Sequence, residues 1–517
     1  MQQINLEQVK VAVVGAGTMG IGIAQLAAMH GHPTYVFDLD SSKVQSALTA
    51  LEAQLSKRVQ NGKMTQQLLE STFANLIVAE DIQQLADAGL IIEAIVEKKE
   101  VKQNLFQQLA AICPEQTIFA SNTSSISITA IASAIPHPER VIGLHFFNPA
   151  PVMKLVEIIR GLKTSAVLAD AVFELMKDWN KVPVRAKSTP GFIVNRVARP
   201  YYAEAFRALQ ENATTPEQLD YIMRECGRFA MGPCELTDLI GQDVNFSVTQ
   251  SVYQEFFYEP RYRPSLIQKE LVDAGCYGRK SGQGFYDYTQ SKPAPVYELP
   301  VCYAKSLNKL KVTVKGEWLH SAALIERLKQ ASHVDLIFQA AEQNEILIGD
   351  LSLRLSLGES VELAYPHDPV VLMDWHADWA NAQAIPVVAS PACSEEQRQA
   401  AELFLIGMNV IPIWSKDHPG LYVIRSIAML VNEACEAVLH DIASDQDIDS
   451  AMKYGVNYPC GPFEWADRIG YYTILQILEN MYHIYGEDRY RTSIYLAKKA
   501  VQGHAQKTQQ QPLRVAG

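Results

Sequence analysis

Short runs of β-branched and aliphatic residues alternate with stretches of helical period over the first 190 positions. The runs at 9–14, 34–37, 90–94, 117–120, 140–144, 155–159 and 182–184 read as strands. Apolar residues recur at helical spacing between several of them, first over 19–29. Strands alternating with helices predict a mostly parallel sheet covered on both faces. After Thr189 the strand signal stops. Pro190 opens a helical pattern that runs to about residue 262, and a loop rich in glycine and aromatic residues, 275–288, closes it. A boundary is expected near 188.

The pattern then repeats. Thr189-Pro190-Gly191-Phe192 resembles His418-Pro419-Gly420-Leu421, and Glu204, Asp220, Gly232-Pro233, Glu235, Asp238 and Gly241 recur as Glu433, Asp449, Gly461-Pro462, Glu464, Asp467 and Gly470. Every pair is 229 positions apart. A constant offset over some fifty residues indicates a duplicated helical domain. Residues before the second copy contain strand-like runs at 311–314, 334–338 and 370–373. Their first loop has one glycine, Gly316, where the first copy has three, so this part reads as a worn α/β domain that no longer binds a dinucleotide. The expected division is 1–188 nucleotide-binding α/β, 189–298 helical, 299–416 degenerate α/β, and 417–517 the second helical copy.

Composition narrows the class. The apolar fraction of 48% and charged fraction of 20% are those of soluble globular chains. A net charge of −12 excludes nucleic acid as the main partner, which would need a basic surface. The eight cysteines are scattered, with no C-x-x-C pair and no metal-ligand spacing, which predicts reduced thiols, a cytoplasmic location and no metal. The N-terminus lacks the apolar core of a signal peptide, and no segment is long and apolar enough to span a membrane.

The loop after the first strand is Gly15-Ala16-Gly17-Thr18-Met19-Gly20, a G-x-G-x-x-G motif. Gly15 permits the tight turn, Gly17 close approach to a pyrophosphate, and Gly20 helix packing on the strand. The helix N-terminus supplies N–H groups for phosphates. Asp38, at the next strand end, would accept hydrogen bonds from ribose hydroxyls and repel a 2′-phosphate. The combination indicates a Rossmann domain and favours NAD over NADP. The alternatives are an ordinary βα turn, and an Asp38 or Asp40 that merely caps the following helix.

Two further stretches lie at strand ends, Ser121-Asn122-Thr123-Ser124-Ser125 and His145-Phe146-Phe147-Asn148-Pro149. Ligands of parallel sheets bind beyond the carboxyl ends of strands. Oxidising an alcohol with NAD releases a hydride and a proton, and histidine is the natural base near neutral pH. Glu157, among Leu155, Val156, Ile158 and Ile159, needs a partner if buried and could orient His145. On spacing alone, a core histidine and a solvent-facing glutamate remain the alternative.

The stretches GAGTMG, IVEKKEVK, SNTSS, HFFNPAPVMKLVEII, TPGFIVNRV and GRKSGQGFYDY, in this order over about residues 8–288, resemble the L-3-hydroxyacyl-CoA dehydrogenase family. The duplicated C-terminal part resembles its longer bacterial members, associated with phenylacetate breakdown and acting on 3-hydroxyadipyl-CoA or 3-hydroxybutyryl-CoA. The resemblance implies a Rossmann domain followed by a helical domain, NAD as cofactor and an acyl-CoA substrate. It implies His145 as base in oxidation and acid in reduction, Glu157 as its orienting partner, and Ser124 and Asn195 as donors to the reacting oxygen. It places Glu97, Lys102 and Asn148 along the nicotinamide end and lets Lys280 reach the cofactor. Lys57, Arg58 and Lys63 are candidate contacts for coenzyme A phosphates, and Arg196, Arg199, Tyr201 and Tyr202 for the acyl end.

Ile424 stands where the first copy has Asn195, so the second copy should be catalytically inactive. Its expected use is to pair with the first helical copy inside one chain, giving a monomer with an internal pseudo-dimer or a homodimer. The competing readings are an NAD-dependent dehydrogenase of a free hydroxy acid or sugar acid, and a non-catalytic NAD-binding protein.

Overall fold

A computed structural model describes residues 4–290 and 309–510. The chain forms two compact units. One is Met1–Arg196 with His440–Val456, the other Val197–Leu439 with Asn457–Gly517.

The first unit is built on an eight-stranded sheet: β1 Val11–Val14, β2 Thr34–Phe37, β3 Leu76–Val78, β4 Leu90–Glu93, β5 Ile118–Ser121, β6 Val141–Phe146, β7 Leu155–Arg160 and β8 Val182–Lys187, in the order β3-β2-β1-β4-β5-β6-β7-β8. Strands β1, β4 and β5 are buried at every position, as expected where helices cover both faces. The strand order reverses between β1 and β4, which is where the carboxyl ends of a doubly wound sheet open a crevice. The expected strands are present, with ends displaced by up to three residues. The edge strand β3 was not expected. It is short, and Ile77 and Val78 are partly exposed, so it carries no run of buried apolar residues to betray it.

One pairing departs from the parallel pattern. β6 and β7 are joined by too short a connection for a helical crossover and run antiparallel. Their register sets His145 directly opposite Glu157. His145 lies inside β6, not just beyond its end as the sequence suggested.

The second unit holds a seven-stranded sheet: β9 Leu310–Lys315, β10 Val334–Gln339, β11 Glu345–Ile348, β12 Leu351–Leu355, β13 Val370–Met373, β14 Ala384–Ala389 and β15 Ile411–Trp414, ordered β10-β9-β11-β12-β13-β14-β15. β11 is antiparallel to both its neighbours, so a tight hairpin replaces a helical crossover. In the loop after β9, Asn344 Oδ1 accepts the Trp318 N–H at 3.2 Å, and a Cβ on Gly316 would lie 2.2 Å from that same oxygen. Trp318 itself is buried. A side chain occupies what is open backbone in the first copy.

The helical copies meet inside this unit. Helices Arg199–Gln210 and Val423–Leu439 pack together. Glu204 of the first receives Arg425 Nε at 2.6 Å and the Tyr490 hydroxyl at 3.1 Å, with Arg489 at 3.7 Å. Glu433 of the second receives the Tyr262 hydroxyl at 2.6 Å, with Arg261 at 3.7 Å. The arrangement is reciprocal, as across the two-fold axis of an isologous dimer. Burial opposes the charge on Glu204, and the adjoining guanidinium groups of Arg425 and Arg489 outweigh it and hold its pKa below the ordinary value.

Each copy also lends a helix to the other's sheet. Pro216–Glu225 packs on β14. Asp445–Val456, part of the first unit, packs on β7 and β8.

Candidate active site

The cofactor loop has the shape its glycines predict. Gly15 has φ +109°, and a Cβ there would lie 2.5 Å from the Ala94 carbonyl oxygen. A Cβ on Gly20 would lie 1.8 Å from Gly15 O, so the helix Thr18–Met29 starts as close to β1 as backbone allows. Gly17 is its N-cap, with no side-chain cap and no acidic residue in the first turn. Nothing stands within 4 Å of a Cβ on Gly17. Thr18 and Met19 form the first turn. Uncapped N–H groups beside open space are the cradle an anionic pyrophosphate needs.

Asp38 ends the next strand. Its Oδ2 accepts the Ala16 N–H at 2.8 Å and its Oδ1 the Asp40 N–H at 3.1 Å, which fixes the carboxylate against the loop with acceptor capacity left. The capping alternative belongs to Asp40, which accepts Ser42 N–H and is the N-cap of Ser41–Gln60. The residues therefore fit a dinucleotide carrying free ribose hydroxyls.

His145 and Glu157 are in contact. Glu157 Oε2 meets His145 Nδ1 at 2.6 Å, and Oε1 accepts the N–H groups of Ile193 and Val194, each at 3.0 Å. Glu157 is fully buried and His145 nearly so. A carboxylate accepts only, so the Nδ1 position carries a proton, and in the neutral ring the lone pair is on Nε2. Among the described residues Nε2 has no hydrogen-bond partner. The two N–H groups lie where the turn Thr189-Pro190-Gly191-Phe192 passes through Ile193 into the helix Val194–Val197. Phe192 holds φ +47° there, as its counterpart Leu421 holds +52°. Asn195 sits on the same helix, and its Nδ2 donates to the Ser124 carbonyl at 3.4 Å. Ser124, His145, Glu157 and Asn195 are thus brought together in the first unit.

A second network holds the Ser124 loop. Glu97 Oε1 accepts the Thr123 hydroxyl at 2.5 Å, the Ser124 N–H at 3.0 Å and the Ser125 hydroxyl at 3.0 Å. Lys102 places its ammonium 2.6 Å from Glu93 and 3.1 Å from Glu97, at 1% exposure. Burial works against the Glu97 carboxylate, but Lys102 and the loop donors prevail and hold its pKa below the ordinary range. Two of its three N–H donors thus meet carboxylates, which supports the loop that Glu97 holds and leaves one donor over. Asn148 is exposed, just beyond β6.

Three side chains that the sequence did not single out take part. Phe147 lies 4.5 Å from the His145 ring, centroid to centroid. Asn122 Oδ1 accepts the Phe146 N–H at 2.8 Å and ties the Ser124 loop to the histidine strand. Thr123 clamps Glu97. Asn122 and Thr123 lie within a quoted motif, but hydroxyl and amide side chains are too common in turns to mark such roles.

Other candidates sit elsewhere. Lys280, in the second unit, is paired with Asp243 at 2.6 Å. Arg196 is buried, 3.4 Å from His440. Arg199 donates to Thr249 and stacks on Tyr202, and Tyr201 donates to the Met231 carbonyl, all three buried within the second unit. All four side chains are buried among protein neighbours. Lys57 and Arg58 occupy the last turn of Ser41–Gln60, where cations complement the helix dipole, and Lys63 follows in the exposed loop.

In the second sheet the position equivalent to His145 is Asp374. Its carboxylate accepts the N–H groups of Trp375, Tyr422, Val423 and Ile424 at 2.7–3.0 Å. Burial pushes its pKa up to about 6 against these donors. The acid that holds the helix turn has moved from the β7 position to the β6 position, Pro386 stands in place of Glu157, and the histidine–glutamate pair is gone.

Three family models match the chain: "3-hydroxyacyl-CoA dehydrogenase, NAD binding domain" over residues 10–189, "3-hydroxyacyl-CoA dehydrogenase, C-terminal domain" over 191–288 and 420–514, and "3-hydroxybutyryl-CoA dehydrogenase reduced Rossmann-fold domain" over 353–419. A 3-hydroxyadipyl-CoA dehydrogenase of Escherichia coli K12 is 44% identical over 95% of this chain and 97% of its own length. A 3-hydroxybutyryl-CoA dehydrogenase of Bradyrhizobium diazoefficiens is 40% identical over 55% of this chain and 97% of its own. The crystal structure of a 3-hydroxybutyryl-CoA dehydrogenase from Escherichia coli K12 superposes with a TM-score of 0.88 at 43% identity, covering 97% of this chain and all of that one.

Proposed function

This chain belongs to the 3-hydroxyacyl-CoA dehydrogenase family, and from that premise we propose that His145 is the base by which it oxidises the 3-hydroxyl of a 3-hydroxyacyl-CoA. NAD, when bound on the Gly15–Gly20 loop and Asp38, supplies the hydride acceptor. His145 Nε2 takes the hydroxyl proton as the hydride leaves C3, and the product is the 3-oxoacyl-CoA. Glu157 fixes the Nδ1–H tautomer and stabilises the imidazolium. Ser124 and the remaining N–H of Asn195 donate to the substrate oxygen as it becomes a carbonyl. In the reverse direction His145 returns the proton. The observation that carries this reading is the 2.6 Å His145–Glu157 contact with Nε2 left unbonded.

The proposal extends to detail. The domain division at 188, 298 and 416, and coenzyme A phosphates on Lys57, Arg58 and Lys63, belong to it. So do Glu97, Lys102 and Asn148 near the nicotinamide, and Lys280 reaching the cofactor. A cytoplasmic location is supported by six buried free cysteines among the seven described. No described helix is long and apolar enough to cross a membrane. The relatives matched along nearly the full length carry both names, 3-hydroxyadipyl-CoA and 3-hydroxybutyryl-CoA dehydrogenase, so the acyl group is one of these two, and the adipyl group would give the enzyme a place in phenylacetate catabolism. Initial rates with 3-hydroxyadipyl-CoA, 3-hydroxybutyryl-CoA and free 3-hydroxybutyrate test this. The thioesters should turn over, with free CoA competing, and the ratio of their rates gives the acyl preference. Equal rates on the free acid and no inhibition by CoA would favour a hydroxy-acid dehydrogenase.

A further inference from the structure

We propose that Gly455, on the second helical copy, is a positioning residue for the active site of the first. The inference rests on the assignment of His145 as base. Gly455 lies near the end of the helix Asp445–Val456, which packs on β7 and β8 with Ile448, Ala451 and Met452 buried. The segment before this helix is tied to the same sheet edge, since the Lys187 N–H donates to the Ile442 carbonyl at 2.9 Å and Arg196 meets His440.

A Cβ on Gly455 would stand 2.5 Å from Leu155 Cδ2, 3.1 Å from Val194 Cγ2 and 3.7 Å from Phe147 Cε1. Each of these neighbours leads to the chemistry. Phe147 lies against the His145 ring. Val194 donates its N–H to Glu157 and precedes Asn195. Leu155 is two residues before Glu157 on β7. The absence of a side chain at 455 lets the helix press on all three at once, and so fixes the tilt of the imidazole and the seat of the Asn195 helix.

The other half of the molecule shows the complementary solution. At the offset of 229, Gly455 corresponds to Cys226 and Leu155 to Ala384. Cys226 packs there with its Sγ 3.3 Å from the Ala384 carbonyl. Where the strand residue is small the helix carries a side chain, and where the strand carries Leu155 the helix has none. The volume at this contact is matched within each half, and only the half that keeps His145 has the bulky residue on the strand. A core this closely packed transmits added volume to its neighbours.

Gly455→Ala in the full-length enzyme tests this, assayed by kcat, KM, the pH profile of kcat/KM, NAD affinity and thermal unfolding. The expected result is a fall of about tenfold in kcat, a displaced inflection in the pH profile, and NAD affinity unchanged. Adding Leu155→Ala, which removes the contacting methyls, should recover much of the lost kcat. Phe147→Leu takes away the ring between Gly455 and His145 without adding volume, and should give the same signature even if Gly455→Ala fails to fold. Wild-type kcat and pH profile in Phe147→Leu, or in folded Gly455→Ala, would overturn the proposal. So would a loss of stability alone. A His145→Ala control separates the two levels: if that variant stays active, the assignment of the base is what fails.

Discussion

Glu157 is fully buried and makes three hydrogen bonds, one to His145 and two to backbone N–H groups. Glutamine there keeps the shape and removes the charge that stabilises the imidazolium. Glu157→Gln should lower kcat on the order of 100-fold with a much smaller change in KM, and a KM effect alone would argue against an orienting role. Asn195→Ile, which copies the second half at Ile424, should cost between about tenfold and a hundredfold in kcat and leave NAD binding as it was. At this scale the sequence exposed the residues whose chemistry is rare in their surroundings: a glutamate inside an apolar strand, a histidine beside a strand end. It did not expose Phe147, because a ring packed on a histidine reads like any other apolar residue. It did not expose the two carboxylate partners of Lys102, because spacing shows that a charge is present and not which way its ammonium turns.

The strand β1, its glycine loop and the helix Thr18–Met29 were legible as a unit, since a β-branched run, three glycines and a small-residue helix each have a single local solution. Gly15→Ala puts a Cβ against Ala94 O at positive φ. It should weaken NAD binding by at least about tenfold in a fluorescence titration, since the loop must open to relieve the clash. Near wild-type affinity would show that the cradle lies elsewhere. The β6–β7 pair was less legible. Both strands are legible, but their antiparallel pairing depends on the short connection between them, which has no period of its own, and that pairing is what brings His145 opposite Glu157. In the second sheet, the hairpin β11–β12 was not anticipated, although Gly349-Asp350 between two apolar runs is its turn signal.

The duplication was visible as a constant offset, and its reciprocal contacts explain why the second half keeps structural residues after losing the chemical ones. A chain ending near residue 290 lacks the partners of Glu204 and the helix that backs β7 and β8. It should self-associate in sedimentation or light scattering, while a soluble, stable monomer would contradict the pairing account. Acid is a second probe of the second unit. Burial holds His418 down to about 4 and His376 down to about 3. Both lie below the ordinary 6.5, so the stability these neutral rings contribute is complete above pH 6.5 and lost as pH falls toward their folded values. By pH 5 each should have cost about 2 kcal/mol. Thermal melts from pH 7 to 5 should show the decline, and His376→Gln should flatten it.

The most direct test of the central claim is NADH formation from NAD and 3-hydroxyadipyl-CoA or 3-hydroxybutyryl-CoA, comparing the wild-type chain with His145→Ala. The account predicts turnover with the wild type and a loss of at least about 1,000-fold in the variant, with NAD binding intact. Equal turnover in both would contradict it.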